Sequence, residues 1–314
     1  MTEFNDQATE FIIAQKRTST KQTYSAAFDL FRRFYQPQGT IRDFLVRIEI
    51  DHNQPSFLDQ KRVAINTMND FVAYMKKDTD LKAKSIRTYA GAVQSLVKYF
   101  LPKDVKISTR YADLPSPNAS RKKAPWTLER VSQFAALMNQ RIYKALVATF
   151  FQSGISISDV QAFTYRDIKE EHEAGTVPLC LDMIRIKTDS PYMTFIGRTG
   201  VTLLQEYLAT RGSLELDAPL FPISISAVER YFNRRAKKLP GYDGSLQYGP
   251  ASLRTGFRTL MRRAGCPEEF VDFWTGRRAE IYKIMPRSAW RAEYSKFASA
   301  VAFPIIPTTR EVHS

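Results

Sequence analysis

The feature that most constrains this 314-residue chain is an interruption. Residues 101–125, LPKDVKISTRYADLPSPNASRKKAP, carry four prolines and no hydrophobic period, and they separate two stretches that are both periodic. Proline fixes φ and removes a backbone donor, so an aperiodic run of this length reads as a linker or a functional loop. The chain is therefore expected to form two units, 1–100 and 126–314, joined by a strap at 101–125. Six bases against two acids give the strap a charge of +4, with Arg121, Lys122 and Lys123 near its end.

Both flanking stretches are mostly helical in pattern. In the first, Ser19-Thr20-Lys21-Gln22 has the form of a capping box, followed by Tyr24, Phe28, Phe31 and Phe34 at helical spacing. A second helix is expected over 59–77, carrying Val63, Ile65, Met68, Phe71 and Val72. A third starts near Ser85, with Ile86, Tyr89, Ala90, Val93 and Val97 on one stripe. Shorter helices cover 5–17 and 39–48. In the second unit, helices are expected at 127–139 and 141–152, with a turn at Gly154 and a new start at Ser158. Residues 179–187 and 192–197 are β-rich and flank Thr188-Asp189-Ser190-Pro191, which reads as a hairpin. Helices resume at 199–211, 224–238, 252–264, 267–274 and 289–302. The fold class is mainly α with a small antiparallel β-hairpin, that is, α+β.

Charge narrows the function. Lys and Arg number 46 against 32 Asp and Glu, a net charge of +14. Such an excess points to a polyanion, most often nucleic acid. Two cysteines, Cys180 and Cys266, exclude a disulfide scaffold or a Cys-rich zinc site, and the three histidines lie far apart. A His-based metal site is therefore not expected, though carboxylate sites stay open. No apolar run approaches the ~18 residues of a membrane span. The acidic start, MTEFNDQATEF, lacks the apolar core of a signal peptide. The expected location is the cytoplasm, at the nucleoid, or the nucleus in a eukaryote.

Three segments together resemble the tyrosine recombinases, the phage-integrase family. FFQSGISISDVQAFTYRDI resembles the family's first box, IRIKTDSPYMTFIG its β-hairpin in the Lys-Thr form frequent in archaeal members, and ASLRTGFRTLMRRAGCPEEFVDFWTGRR its second box. The order and spacing carry the likeness: 98 positions separate Ser156 from Arg254, and 23 separate Arg254 from Arg277. The resemblance spans nearly the whole chain. It implies an N-terminal core-binding domain over 1–100 and a catalytic-type domain over 126–314, which clamp duplex DNA and can associate with further copies upon it. It also implies a chemistry without cofactor, in which a tyrosine forms a 3′-phosphotyrosyl bond. In that chemistry two arginines hold the phosphate, a hairpin lysine protonates the leaving oxygen, and histidines assist.

Residue by residue, the resemblance makes Arg254 the second-box arginine and Lys187 the hairpin lysine. The other positions depart from the pattern. Ser156 stands where the first arginine belongs, Ala251 replaces a histidine, and Arg277 follows Gly276 where a histidine or tryptophan is usual. Arg277 can replace lost charge but cannot shuttle a proton at neutral pH. The family's tyrosine would fall at Pro286 or Arg287; the nearest tyrosines are Tyr282 and Tyr294, and Tyr282 is the candidate nucleophile.

Between Arg254 and Lys296, ten bases accompany five acids. Arg254, Arg258 and Arg262 share one helical face, and with Arg277 and Arg278 they are the expected phosphate ligands, as are Arg121, Lys122 and Lys123 of the strap. The leading expectation is a DNA-binding protein of the recombinase type, related to DNA integration, whose catalytic set is degenerate and impaired or silent. An active divergent integrase is the alternative. A basic architectural or RNA-binding protein is the third reading.

Overall fold

The aromatic spacing of the first hundred residues builds a helical bundle. In this computed structural model, which describes residues 6–15, 18–53, 62–101, 122–242 and 244–306, the chain divides into two compact units, Met1–Ser120 and Arg121–Ser314. The first holds α1 (Asp6–Ile13), α2 (Thr18–Tyr35), α3 (Ile41–His52), α4 (Arg62–Asp78) and α5 (Ala83–Phe100). Phe28 and Phe31 of α2 are fully buried, while Tyr24 and Phe34 flank the same core. Phe31 meets Phe71 edge-on at 5.0 Å and Phe44 at 5.0 Å, so three helices converge on one ring. Truncating such a ring costs about 3–5 kcal/mol.

The capping box lies elsewhere than at Ser19. α2 already begins at Thr18, so Ser19 has helical backbone and its carbonyl accepts from Thr23 Oγ1 one turn on. A complete box is formed instead at α3, where Thr40 Oγ1 accepts from Asp43 N–H and the Asp43 carboxylate accepts from Thr40 N–H. The start expected for α4 at residue 59 and most of the strap, Arg121 included, lie outside the described residues.

The second unit opens with β1 (Lys122–Lys123), α6 (Leu128–Ala136) and α7 (Arg141–Ser153). α7 is buried continuously from Ala145 to Ser153, as a helix apolar on every side must be, and it packs on later elements around it. Next come α8 (Ile157–Val160), α9 (Lys169–Glu173), β2 (Leu179–Arg185), β3 (Ser190–Ile196), α10 (Arg198–Leu208) and α11 (Ile225–Ala236). The unit ends with β4 (Leu246–Gln247), α12 (Pro250–Arg263), α13 (Glu268–Trp274) and α14 (Arg287–Phe297). β2 and β3 form the antiparallel hairpin, with Met183 opposite Tyr192 and Arg185 opposite Ser190. The turn is Ile186–Asp189, two residues earlier than the sequence pattern indicates, with Asp189 in the left-handed corner at φ +55°. β1 pairs in parallel with β4, which ties the last strap residues to the second unit.

Two turns fix the site. α7 ends at Gly154, φ +62°, where a Cβ would lie 2.4 Å from Phe257 of α12 and 2.9 Å from Thr275. Only glycine allows that approach. α13 ends at Gly276, φ +63°, with Arg277 N–H bonded to Asp272 O.

Candidate nucleic-acid interface

A helix end leaves carbonyls without intrahelical partners, and at the end of α13 two consecutive carbonyls are met by guanidinium groups. Arg254, in the second turn of α12, donates from Nη2 to Thr275 O. Arg185, the last residue of β2, donates from Nη1 to Gly276 O. Gly276 makes room for this: a Cβ there would lie 3.0 Å from Arg185 Cδ and 3.1 Å from the Tyr192 ring. Arg277, next in sequence, is exposed and reaches no carboxylate at ion-pair distance among the described residues.

Two guanidiniums thus rest on neutral acceptors, with the Arg277 charge close by. Burial, with the nearby Arg185 and Arg277 charges acting in the same direction, pulls Arg254 down to about 10 from 12.5. Arg254 Nη1 and Arg185 Nε are enclosed and have no hydrogen-bond partner. A buried donor left unmet costs about 1–3 kcal/mol.

Ser156 is used structurally. Its hydroxyl caps α8, accepting from Asp159 N–H, and donates to Asp159 Oδ2 at 2.6 Å. The Asp159 carboxylate is fully buried and also accepts from Ile186 N–H at 3.1 Å and Tyr192 OH at 3.0 Å. These neutral donors pin the end of β2, directly beside Arg185. Burial first, and Asp159 second, push the Tyr192 hydroxyl well above its ordinary value.

The row expected along α12 is only partly available. Arg258 is bound to Asp272 at 2.6 Å, and Arg262 is bound to Glu268. Their charges are offset within the fold, which leaves Arg254 as the member of the row held by a carbonyl alone. Arg278 is exposed and lies 3.7 Å from Glu280. Lys187 stands exposed on the hairpin turn. Lys122 and Lys123 form β1, paired with Leu246 and Gln247 of β4. Ala251 is exposed on the first turn of α12, lining a cleft of about 450 Å³ with Glu229, Asn233 and Tyr248.

Tyr282 is not brought to the arginine cluster. Its hydroxyl sits on Asp182, 2.8 and 3.0 Å from the two carboxylate oxygens, and Arg287 joins the same carboxylate at 3.1 Å. Asp182 and Arg185 are three apart on β2 and therefore project to opposite faces of the hairpin. Burial, then the Asp182 carboxylate, pushes Tyr282 up to about 12. Tyr294 is fully buried in α14 and donates to Gln152 O at 2.7 Å, a packing role.

Arg185 is the residue that motif reading passed over. A signal was present: it alternates with Met183 on the strand face that carries Tyr192, so a cation there points inward. Among the described residues no helix is long and apolar enough to cross a membrane, and no group of three His, Cys, Asp or Glu side chains is arranged to hold a metal ion.

No protein-family model matches the sequence, and no curated protein matches it. Solved structures do. A lambda integrase dimer bound to a COC′ core site superposes with a TM-score of 0.56 at 13% identity, over 87% of this chain and 93% of that chain. The Tn1549 transposon integrase in complex with transposon right end DNA gives 0.53 at 15% identity, over 87% and 99%. The XerH site-specific recombinase bound to its difH substrate gives 0.50 at 14% identity, over 88% and 76%. At such identities the likeness is one of fold. The order of helices around the β2–β3 hairpin is that of the tyrosine-recombinase catalytic type, and this chain has the tyrosine-recombinase fold.

Proposed function

We propose that this protein binds double-stranded DNA as a recombinase-type protein and cleaves it poorly or not at all. The observation that carries the binding reading is an arginine pair: Arg254 and Arg185 are held on backbone carbonyls at the end of α13 with no carboxylate bonded to either, and exposed Arg277 follows without an ion-pair partner among the described residues. A phosphate diester supplies the missing acceptors. The net charge of +14 supports the same partner. The solved structures of like fold that hold DNA support it further. On this reading residues 1–100 serve as a core-binding domain, the strap follows the backbone, and several copies associate on DNA.

The impaired chemistry rests on different residues. Ser156 is committed to Asp159, Ala251 has no proton to exchange, and the Tyr282 hydroxyl is bonded to Asp182 on the far face of the hairpin. An attacking tyrosine must lie in line with the phosphate that the arginines hold. Lys187 would be the acid for the leaving oxygen, and Arg277 a replacement for lost charge.

The test is a nicked duplex that traps covalent intermediates, incubated with the intact protein and resolved on a denaturing gel. The expected result is retention of the duplex in native gels without a covalent adduct. An adduct abolished by Tyr282→Phe makes this an active integrase. Preference for RNA over duplex DNA in competition overturns the reading altogether.

A further inference from the structure

We propose that Arg185 is the second charged ligand of a phosphate-diester site centred on Arg254, supplying from the hairpin strand the charge that Ser156 lacks. The inference rests on the DNA-binding reading above and assigns a role to a residue outside the motifs that led to it.

The geometry carries it. Arg185 and Arg254 come from elements far apart in sequence, yet each is oriented by one of two adjacent carbonyls, Gly276 O and Thr275 O. Two like charges are held together with no carboxylate bonded to either; the buried Asp159 carboxylate nearby offsets part of their repulsion, and a bound anion would offset more. Each also retains an enclosed N–H with no acceptor, Nε of Arg185 and Nη1 of Arg254. A diester with two non-bridging oxygens matches two guanidiniums presented side by side, since each fork reads one oxygen with charge-assisted bonds. Because each arginine is tethered by one hydrogen bond to a carbonyl, a small rotation turns the unmet donors outward to receive it.

The surroundings hold Arg185 in place. Asp159 accepts from Ile186 N–H, the residue after Arg185, and from Tyr192 OH, on the strand opposite. Ser156 in turn donates to Asp159. The serine at the first-box position therefore steadies the strand end that bears the arginine. Lys187, two residues on, projects from the exposed turn and has no assigned place in this pair.

Two measurements on the full-length protein decide it. The first is duplex-DNA affinity against salt for the native chain, Arg185→Ala, Arg185→Lys and Arg254→Ala, with thermal melting to confirm folding. Arg185→Ala and Arg254→Ala should each weaken binding about tenfold and lower the salt slope by about one contact; Arg185→Lys should keep the slope and lose part of the affinity. The second follows the Arg185 Nε–Hε resonance, assigned by its loss in Arg185→Lys, during titration with inorganic phosphate against chloride at equal ionic strength. A saturable shift specific to phosphate is expected. An unchanged slope in folded Arg185→Ala overturns the proposal. If that variant fails to fold, a resonance that ignores phosphate overturns it instead. Failure of the native chain to bind duplex DNA refutes the function reading rather than the role of Arg185 alone.

Discussion

The Tyr282 hydroxyl lies 2.8 Å from Asp182 Oδ1 and 3.0 Å from Oδ2, and this carboxylate places it on the opposite face of the β2–β3 hairpin from Arg185. The contact has a measurable signature. Burial, with the Asp182 carboxylate second, raises Tyr282 to about 12 from 10.0. The unfolded chain thus gives up this proton first as pH rises, so the stability contribution is whole below pH 10 and is lost as pH climbs to about 12. Tyr282→Phe should flatten the fall of melting temperature across that window. Asp182→Ala should move one tyrosine titration back toward the ordinary value. An alkaline melting profile identical in native protein and Tyr282→Phe would show that the bond is absent.

Arg254 gives a second prediction. Arg254→Lys keeps a charge but loses the planar fork that reaches both Thr275 O and an incoming oxygen. It should bind duplex DNA more weakly than the native chain and more tightly than Arg254→Ala, without unfolding. Equal binding by all three would give Arg254 a purely structural role on α13.

The short parallel pair of β1 with β4 predicts where the second unit can be cut. Ala124 is buried and its N–H bonds to Gln247 O at 3.0 Å, so a fragment starting at 126 loses both the strand and this contact. Residues 121–314 should melt several degrees above residues 126–314, a difference of about 1–2 kcal/mol. Equal melting points would mean that the pair adds nothing.

Tyr294 tests the division between packing and chemistry. Its hydroxyl bonds to Gln152 O, and its ring packs edge-on against Trp274 at 5.3 Å. Tyr294→Phe keeps the ring and leaves one carbonyl unmet. It should cost about 1–3 kcal/mol in urea unfolding and leave duplex affinity unchanged. A loss of DNA binding without loss of stability would place Tyr294 in the interface.

What the sequence makes legible is local. Helical spacing locates α2, α5 and α12, because residues such as Phe28, Ile86 and Leu253 repeat with the turn and are buried where they repeat. The hairpin is legible from its two β-rich runs, though its turn falls two residues early, with Asp189 at positive φ. The start of α2 is misplaced because its Ser/Thr run offers several starting points. The pairing of Arg258 with Asp272 is a contact between two helices, and no period reports it. Nor does any motif report Arg185, whose role depends on a carbonyl 91 positions away. Arg254 and Gly276 are recognisable one by one, but the cluster they form with Arg185 exists only in three dimensions.

The most direct test of the account is the affinity of the intact protein for duplex DNA as salt is raised. A chain with a net charge of +14 that engages several phosphates should show log K falling linearly with log salt, each phosphate contact contributing about −0.9. Arg254→Ala should make that line shallower by about one contact. An affinity that stays constant from low to moderate salt, or a slope that Arg254→Ala leaves untouched while the fold is intact, would contradict it.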